Sequence, residues 1–447
     1  MIGSPDTVHQ DQGAALRKRA VEKVGKQEFV SPSASIALQQ LALPMMVASE
    51  AIKKGLLSYV QQMGLLAFSE MLDAEAAEIA GPKGRHAEDR THHHWGKART
   101  TLPFGGRHVV VERPRVRGRG KGGKEVELPS VATAKGMDPM PTHVAEQVVV
   151  GVSTRGYERS LEPIDESLES RGESKSHVSR ALIEKTTEKL AAFLDRKLDD
   201  VALAAMFIDG IEIGGHAVIV ALGVTKDGTK VPLGVWCGST ENHVVTAALM
   251  QNLIERGLRV DAPVLFVIDG GKGIRKALTD VFGDRAVVQR CQVHKTRNVR
   301  DHLPEERRAY VRRQMRDAYK SRSASTAKKL LLQIVSWLEA NGEDAAAGSL
   351  REGLDETLTV LRLNLPATLC RTFATTNAIE NLNGTLRRVI RNVKRWQGET
   401  MIQRWVALGI AEAQRGFRRV KGHGQMNVLL SALCPNPAAV GQESKVA

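Results

Sequence analysis

At 447 residues the chain is about three times the commonest domain length, so two to four structural units are expected rather than one core. With 42% hydrophobic and 26% charged residues it has the composition of a folded protein, which excludes wholesale disorder. A formal net charge of +14 favours a polyanionic partner, nucleic acid first, with a solvated basic surface or anionic lipid as the plain alternatives.

No run approaches the roughly 18 apolar residues of a membrane helix, and the N-terminus lacks a secretory pattern, so a cytoplasmic, nucleoid-associated protein with no membrane partner is expected. Cys237, Cys291, Cys370 and Cys434 are scattered, which fits reduced thiols rather than a disulfide framework.

Residues 1–45 mix Gly, Ser, Gln and charge with little periodicity, and the Arg17-Lys18-Arg19 run reads as part of a flexible basic arm. From Met45 to Ala80 apolar residues recur at three-to-four spacing ahead of Gly81-Pro82, which predicts one long helix or a helical pair. Residues 81–128 are rich in Arg, Lys, Gly and His. Alternation around Arg107–Arg113 predicts a short strand pair with a basic face. Adjacent His92, His93 and His94 cannot all converge on one ion, which weighs against a metal there.

Between Val148 and Leu198 the pattern predicts a helix, a break at Arg171-Gly172-Glu173 and a second helix from Ser174, which suits a helix-turn-helix. Ser174, Ser176, His177, Ser179 and Arg180 would face the groove. An ordinary helical hairpin is the competing reading.

After Asp199-Asp200 the period becomes strand-like: Ala204–Ile213, His216–Val224 and Lys230–Trp236, with an Asp227-Gly228 hairpin turn. A helix from Thr240-Glu241 to about Arg256, the apolar strand Val264–Ile268, a helix over Gly273–Phe282 and a strand Ala286–Arg290 follow. That order predicts an α/β fold with a ribonuclease H-like mixed sheet, preceded by helical DNA-binding regions. Asp209 and Asp269 end neighbouring strands there, each followed by a glycine that would permit close backbone approach. Thr375–Arg388 reads as a helix capped by Thr376 or Asn377, with Glu380 in its first turn.

Two Asp and one Glu supply the oxygen ligands that Mg2+ prefers, and two such ions suit phosphodiester cleavage and strand transfer. His294 is expected to contact scissile DNA or orient a carboxylate, and Lys295, Arg297, Asn377, Asn383 and Arg388 to meet DNA. A zinc site begun by Cys291 and His294 lacks a second ligand pair at useful spacing. The stretch from about Leu303 to Leu369 is helical throughout and reads as an insertion. Its Tyr310, Tyr319 and Trp337 are read as core, although an exposed aromatic could stack on an unpaired base.

The sequence resembles the Mutator-type transposases of bacterial insertion sequences over roughly residues 148–413. The resemblance is carried by Asp209-Gly210, Asp269-Gly270, Arg290-Cys291-Gln292-Val293-His294 with Arg297-Asn298-Val299, and Thr375-Thr376-Asn377-Ala378-Ile379-Glu380. It implies that Asp209, Asp269 and Glu380 form a metal-binding catalytic triad, with Cys291, His294 and Arg387 as accessory residues. It also implies two Mg2+ or Mn2+ ions, double-stranded DNA as element ends and target, and a homodimer or higher homo-oligomer.

The expected organisation is a flexible basic arm (1–45), an N-terminal helical and basic strand region (46–147), a helix-turn-helix-like region (148–200), the first part of the catalytic core (201–302), a helical insertion (303–370), and the final core helices with a tail (371–447). A catalytically silent, transposase-derived DNA-binding regulator and a nuclease acting on RNA or hybrid duplexes are the alternatives.

Overall fold

The structure, a computed structural model, describes residues 55–434 apart from 86–88, 121, 172–173 and 241. The expected basic arm, the first part of the Met45–Ala80 helix, the Gly172-Glu173 break and Glu241 therefore lie outside the described residues. No described helix is long and apolar enough to cross a membrane. The chain forms two compact units, one of residues up to Ala98 with Val111–Val126 and Ile164–Leu168, the other of Arg99–Val110, Glu127–Pro163 and everything from Glu169.

In the first unit one helix, α1 (Leu56–Ala80), buries Leu72, Ala76 and Ala80. Strands β1 (His92–Phe104) and β2 (Arg107–Gly118) are longer than the expected pair, and their turn end belongs to the second unit. β3 (Glu125–Val126) pairs antiparallel with β2, and Glu125 takes both Arg113 and Arg115 at 2.8 and 2.7 Å, which neutralises part of the basic face. His92, His93 and His94 stand on β1, where successive side chains point to opposite faces.

The second unit begins with α2 (Pro129–Gly136) and α3 (Met140–Val149). The helix expected next does not form. Between Val149 and Lys175 the described chain makes turns, a 3-10 turn at Glu158–Ser160 and the short strand β4 (Ser170–Arg171), which pairs with β2. Gly151, at φ +104°, and Pro163 interrupt helical hydrogen bonding there. The second helix does form as α4 (Lys175–Leu194), with the Ser174 side chain as its cap, and it packs Val178, Ala181 and Leu182 against Met140, Val144 and Val148 of α3.

β5 (Leu203–Ile213), β6 (His216–Thr225) and β7 (Lys230–Gly238) form an antiparallel meander. α5 (His243–Glu255) is capped by Asn242, and β8 (Val264–Ile268), α6 (Lys272–Phe282) and β9 (Ala286–Arg290) follow. The strand order is β7-β6-β5-β8-β9, with β8 parallel to β5 and β9 parallel to β8, a mixed sheet.

The sheet has a core on each face. Met206, Ile208, Ile219 and Phe266 join Leu249, Leu253, Ile274 and Leu278 of α5 and α6 on one side. Ala205, Phe207, Val220, Leu265 and Val267 face the other side.

α7 (Gln292–Asp301), α8 (Glu305–Tyr319), α9 (Ala324–Ala340) and α10 (Asp344–Arg351) pack around a core of their own, which includes Val299, Val311, Met315, Leu331, Val335 and Leu350; α8 to α10 lie in the stretch 303–370 read as a helical insertion. Short α11 (Thr359–Arg362) and α12 (Ala367–Phe373) lead back to the sheet. α13 (Asn377–Ile390), α14 (Glu399–Arg415) and α15 (Met426–Leu433) supply Ile379, Leu382, Leu386, Val406, Ile410 and Leu429 to the second face.

β9 is an edge strand whose outer groups need partners. Thr359 supplies one, donating to the Val288 carbonyl at 2.7 Å, and beside it the buried Gln289 side-chain amide donates to the Thr357 carbonyl at 2.9 Å and accepts from the Val360 amide at 2.9 Å. The returning end of the insertion thus seals the sheet.

Candidate active site

Side chains on a strand alternate between faces, so parity assigns Asp209 to the face of Ala205 and Phe207, the face packed by α13. On β8, Leu265 and Val267 share that face, and Asp269 follows directly after the strand. β5 and β8 pair Phe207 with Val267 and Ile208 with Ile268. The same register carried on by one residue sets Asp209 opposite Asp269.

Asp209 is not at the end of its strand, as expected from sequence, since β5 continues to Ile213 and pairs Asp209 with Val220 of β6. It lies instead one residue past the last pairing with β8. Gly270 needs its lack of a side chain: its φ is +118°, and a Cβ would lie 3.0 Å from the Arg290 guanidinium.

α13 brings the third carboxylate. Thr376 precedes its first turn, Ile379, Leu382 and Leu386 bury its apolar stripe, and Glu380 and Asn383 are neighbours at three-residue spacing. Asn383 is 1% exposed and its Nδ2 donates to Asp209 Oδ2 at 2.8 Å. This overturns the expectation of a DNA contact for Asn383: its amide orients a catalytic candidate. Asp269 Oδ1 accepts from the Gly271 amide at 2.8 Å, and Glu380 Oε1 accepts from the Thr376 hydroxyl at 2.6 Å. Each carboxylate thus accepts a short hydrogen bond, and all three are partly exposed.

A second cluster adjoins Glu380. Cys291 caps α7 and is fully buried, its Sγ accepting from the His294 and Thr376 amides at 3.5 and 3.4 Å. Thr376 Oγ1 lies 3.3 Å from His294 Nδ1, and His294 Nε2 lies 3.9 Å from Glu380 Oε1. Burial raises the Cys291 thiol, but the hydrogen bonds from His294 and Thr376 outweigh it and hold the group below its ordinary range. His294 is shifted upward, chiefly by its hydrogen bond with Cys291, against burial and with help from the charges of Cys291, Glu380 and Asp269. Ligand atoms of Cys291, His294 and Glu380 all lie within 4.8 Å of one another, and no other trio of His, Cys, Asp or Glu among the described residues does so.

Lys295 is another correction. It is 4% exposed, and its Nζ donates to the Ser349 and Glu352 carbonyls at 2.6 Å each, at the C-terminal end of α10. An ammonium satisfying the last carbonyls of a helix is a structural tie, out of reach of a phosphate. Burial holds it down at about 8.

Arg297, Asn377, Arg387 and Arg388 are exposed, as a role against DNA requires, and so are Ser176 and Arg180 on α4. His177 is half-buried, its ring 5.4 Å from that of His108. Tyr310 and Trp337 pair at 4.9 Å; Tyr310 is 38% exposed, whereas Trp337, like Tyr319, is partly buried and packs against the core of these helices.

In the sequence Arg290 has no role beyond its place in the Arg290–His294 motif. It is 5% exposed, donates to the Gly270 carbonyl just after Asp269 and, at 3.1 Å, to the Glu352 carbonyl, and lies 3.8 and 3.7 Å from the Glu352 and Glu356 carboxylates. An arginine at the end of a strand reads in sequence as a surface charge, and only the insertion folded back on it makes it internal. Thr376, one of the two residues expected as the cap, does stand at the N-cap position of α13, but its side chain makes no cap bond and turns to Glu380.

Two aspartates, one on β5 and one directly after the neighbouring parallel strand β8, and a glutamate on the helix packed over that face lie on one side of a mixed α/β sheet. Comparison with known families gives the particular group: the description "Transposase, Mutator family" matches residues 46–419, and the chain belongs to that family. Among relatives, it is 28% identical to the transposase for insertion sequence element ISRM5 of Rhizobium meliloti (strain 1021), over 76% of this chain and 85% of that protein. It is 24% identical to the transposase for insertion sequence element IS905 of Lactococcus lactis subsp. lactis, over 65% of this chain and 74% of the relative. It is 28% identical to a probable transposase for an ISRM3-like element of Sinorhizobium fredii, over 54% of this chain but only 60% of the relative's length.

Proposed function

We propose that this chain cuts and joins DNA at the ends of an insertion sequence, with a ribonuclease H-like sheet and divalent ions held by Asp209, Asp269 and Glu380. The observation that supports the reading is the register of β5 and β8, whose last pair, Ile208 with Ile268, stands directly before Asp209 and Asp269 in a sheet whose Phe207 and Val267 face the helix carrying Glu380. The all-oxygen donor set fits Mg2+ or Mn2+, and neither Asp269 nor Glu380 pairs with Lys or Arg among the described residues. Two such ions would activate the attacking oxygen and stabilise the leaving oxygen of a phosphodiester.

Asn383, Gly271 and Thr376 hold the three carboxylates in orientation, so little reorganisation is needed when DNA arrives. Arg297, Arg387 and Arg388 would take phosphate charge beside the site, and Ser176 and Arg180 on α4 would meet DNA further away. The reaction is hydrolysis at an element end, which frees a 3′-hydroxyl, followed by attack of that oxygen on a target phosphorus with loss of the target's 3′ oxygen. Binding of terminal inverted repeats and assembly as a homodimer or larger oligomer on paired ends belong to the same reading.

The test is a nicking assay with purified full chain on duplex DNA carrying the element ends. Asp209→Asn, Asp269→Asn and Glu380→Gln are each expected to lower Mg2+-dependent nicking by at least about a hundredfold while end binding persists. Nicking at the wild-type rate in any of them overturns the assignment. Tight end binding by the wild type with no nicking in Mg2+ or Mn2+ would instead make the chain a binding regulator.

A further inference from the structure

We propose that Cys291, His294 and Glu380 form a second metal site, one that takes Zn2+, and that an ion there withdraws Glu380 from the oxygen-donor site. The second half rests on the role proposed above for Glu380; the first half does not. One sulfur, one imidazole and one carboxylate within 4.8 Å of one another can converge on a single ion, since donor atoms around a tetrahedral Zn2+ are spaced by roughly 3 to 4 Å. This donor set is the opposite of the one at Asp209 and Asp269. Sulfur and imidazole select a borderline-soft transition metal, and Mg2+ has little use for either.

The fold builds the cluster from two helix starts. Cys291 and His294 stand at three-residue spacing at the beginning of α7, and Glu380 stands in the first turn of α13. The His294 and Thr376 amides already point at Sγ, which steadies a thiolate ligand. Thr376 lies against all three donors, 3.4 Å from Sγ, 3.3 Å from His294 Nδ1 and 2.6 Å from Glu380 Oε1. Three protein ligands leave one coordination position for water, reached from the partly exposed side of Glu380. Binding releases one proton, the one that the Cys291–His294 pair shares as thiol or as imidazolium, and no redox step is involved. Because one carboxylate serves both sites, Zn2+ and the catalytic ions compete for it.

Co2+ is the probe, because a cobalt–thiolate bond gives a near-ultraviolet charge-transfer band whether or not the protein cuts DNA. One equivalent of Co2+ added to the reduced full chain is expected to give that band with tetrahedral visible absorption, and one equivalent of Zn2+ to abolish both. Cys291→Ser should remove the band, His294→Asn and Glu380→Gln should each weaken Co2+ binding by at least about tenfold, and Cys434→Ser and Asp209→Asn should leave it unchanged. No band in the wild type, or a band that survives in Cys291→Ser, overturns the site. If Asp209→Asn nicks at the wild-type rate while the band is normal, the functional reading fails and the zinc site stands. If the band is absent while the three carboxylate variants are inactive, the zinc site fails and the functional reading stands.

Discussion

The side chains around the carboxylates carry as much information as the carboxylates themselves. Asn383 is a buried amide that donates to Asp209 from the helix bearing Glu380, so it ties the third carboxylate's helix to the first carboxylate's strand. Replacing it with Leu removes the donor and keeps most of the volume. The expected result is a loss of roughly 10- to 100-fold in nicking, with a higher Mg2+ requirement and unchanged end binding. An unchanged Mg2+ requirement would reduce Asn383 to a packing residue. Thr376→Val keeps the shape and removes the hydroxyl that meets Glu380 at 2.6 Å, so its nicking is expected to fall while Thr376→Ser stays near wild type. Equal activity in the two variants would mean that the hydroxyl is dispensable.

At the level of elements, turns and connections decide what the strands present. The β6–β7 turn is held by Asp227, whose carboxylate accepts from the Thr225 and Thr229 hydroxyls and pairs with Arg419 at 3.2 Å. The Thr225 bond is the main cause of a shift from 3.8 to about 2, with Thr229 next. Since the folded value is depressed, the contribution to stability is present in full above about 3.8 and fades as pH falls through about 2. Thermal melts should therefore show Asp227→Asn less stable than wild type at neutral pH and the gap closing between about pH 4 and pH 2. A gap independent of pH would remove the carboxylate from the explanation. The Asp269–Gly270 connection is constrained differently, by a left-handed glycine under Arg290. Gly270→Ala combines backbone strain with that close approach and is expected to destabilise by roughly 1–3 kcal/mol, read as a lower denaturation midpoint.

Across the second unit, the sheet with its two cores and the helical insertion with a third are joined at β9 by buried polar ties. Phe207 is fully buried and stacks on Phe373 at 5.9 Å, so Phe207→Ala should cost about 3–5 kcal/mol. If the ties make insertion and sheet one cooperative unit, Leu331→Ala in the insertion should lower the midpoints of both together, as reported by hydrogen exchange in β5 and α9. Separate exchange of α9 with β5 unchanged would show that the insertion melts alone.

Strand and helix identity from Leu203 to Arg290, and the helical pattern of residues 303–369, were legible in the sequence because period-2 and period-3.6 burial and the Asp-Gly punctuation are local properties. So was the pairing of β5 with β8. What the sequence did not decide was anything that depends on who lies across the interior. A lysine and an asparagine beside the motif read as DNA contacts, yet Lys295 closes a helix end and Asn383 holds Asp209. The helix expected before Ser174 lost to a strand pairing with β2 that lies about 60 residues away in sequence. Two short motifs 85 residues apart became one Cys–Thr–His–Glu cluster only when α7 and α13 began side by side. Hydrogen-bond partners and burial are set by tertiary contacts, and a local pattern carries the residue's chemistry without its neighbour.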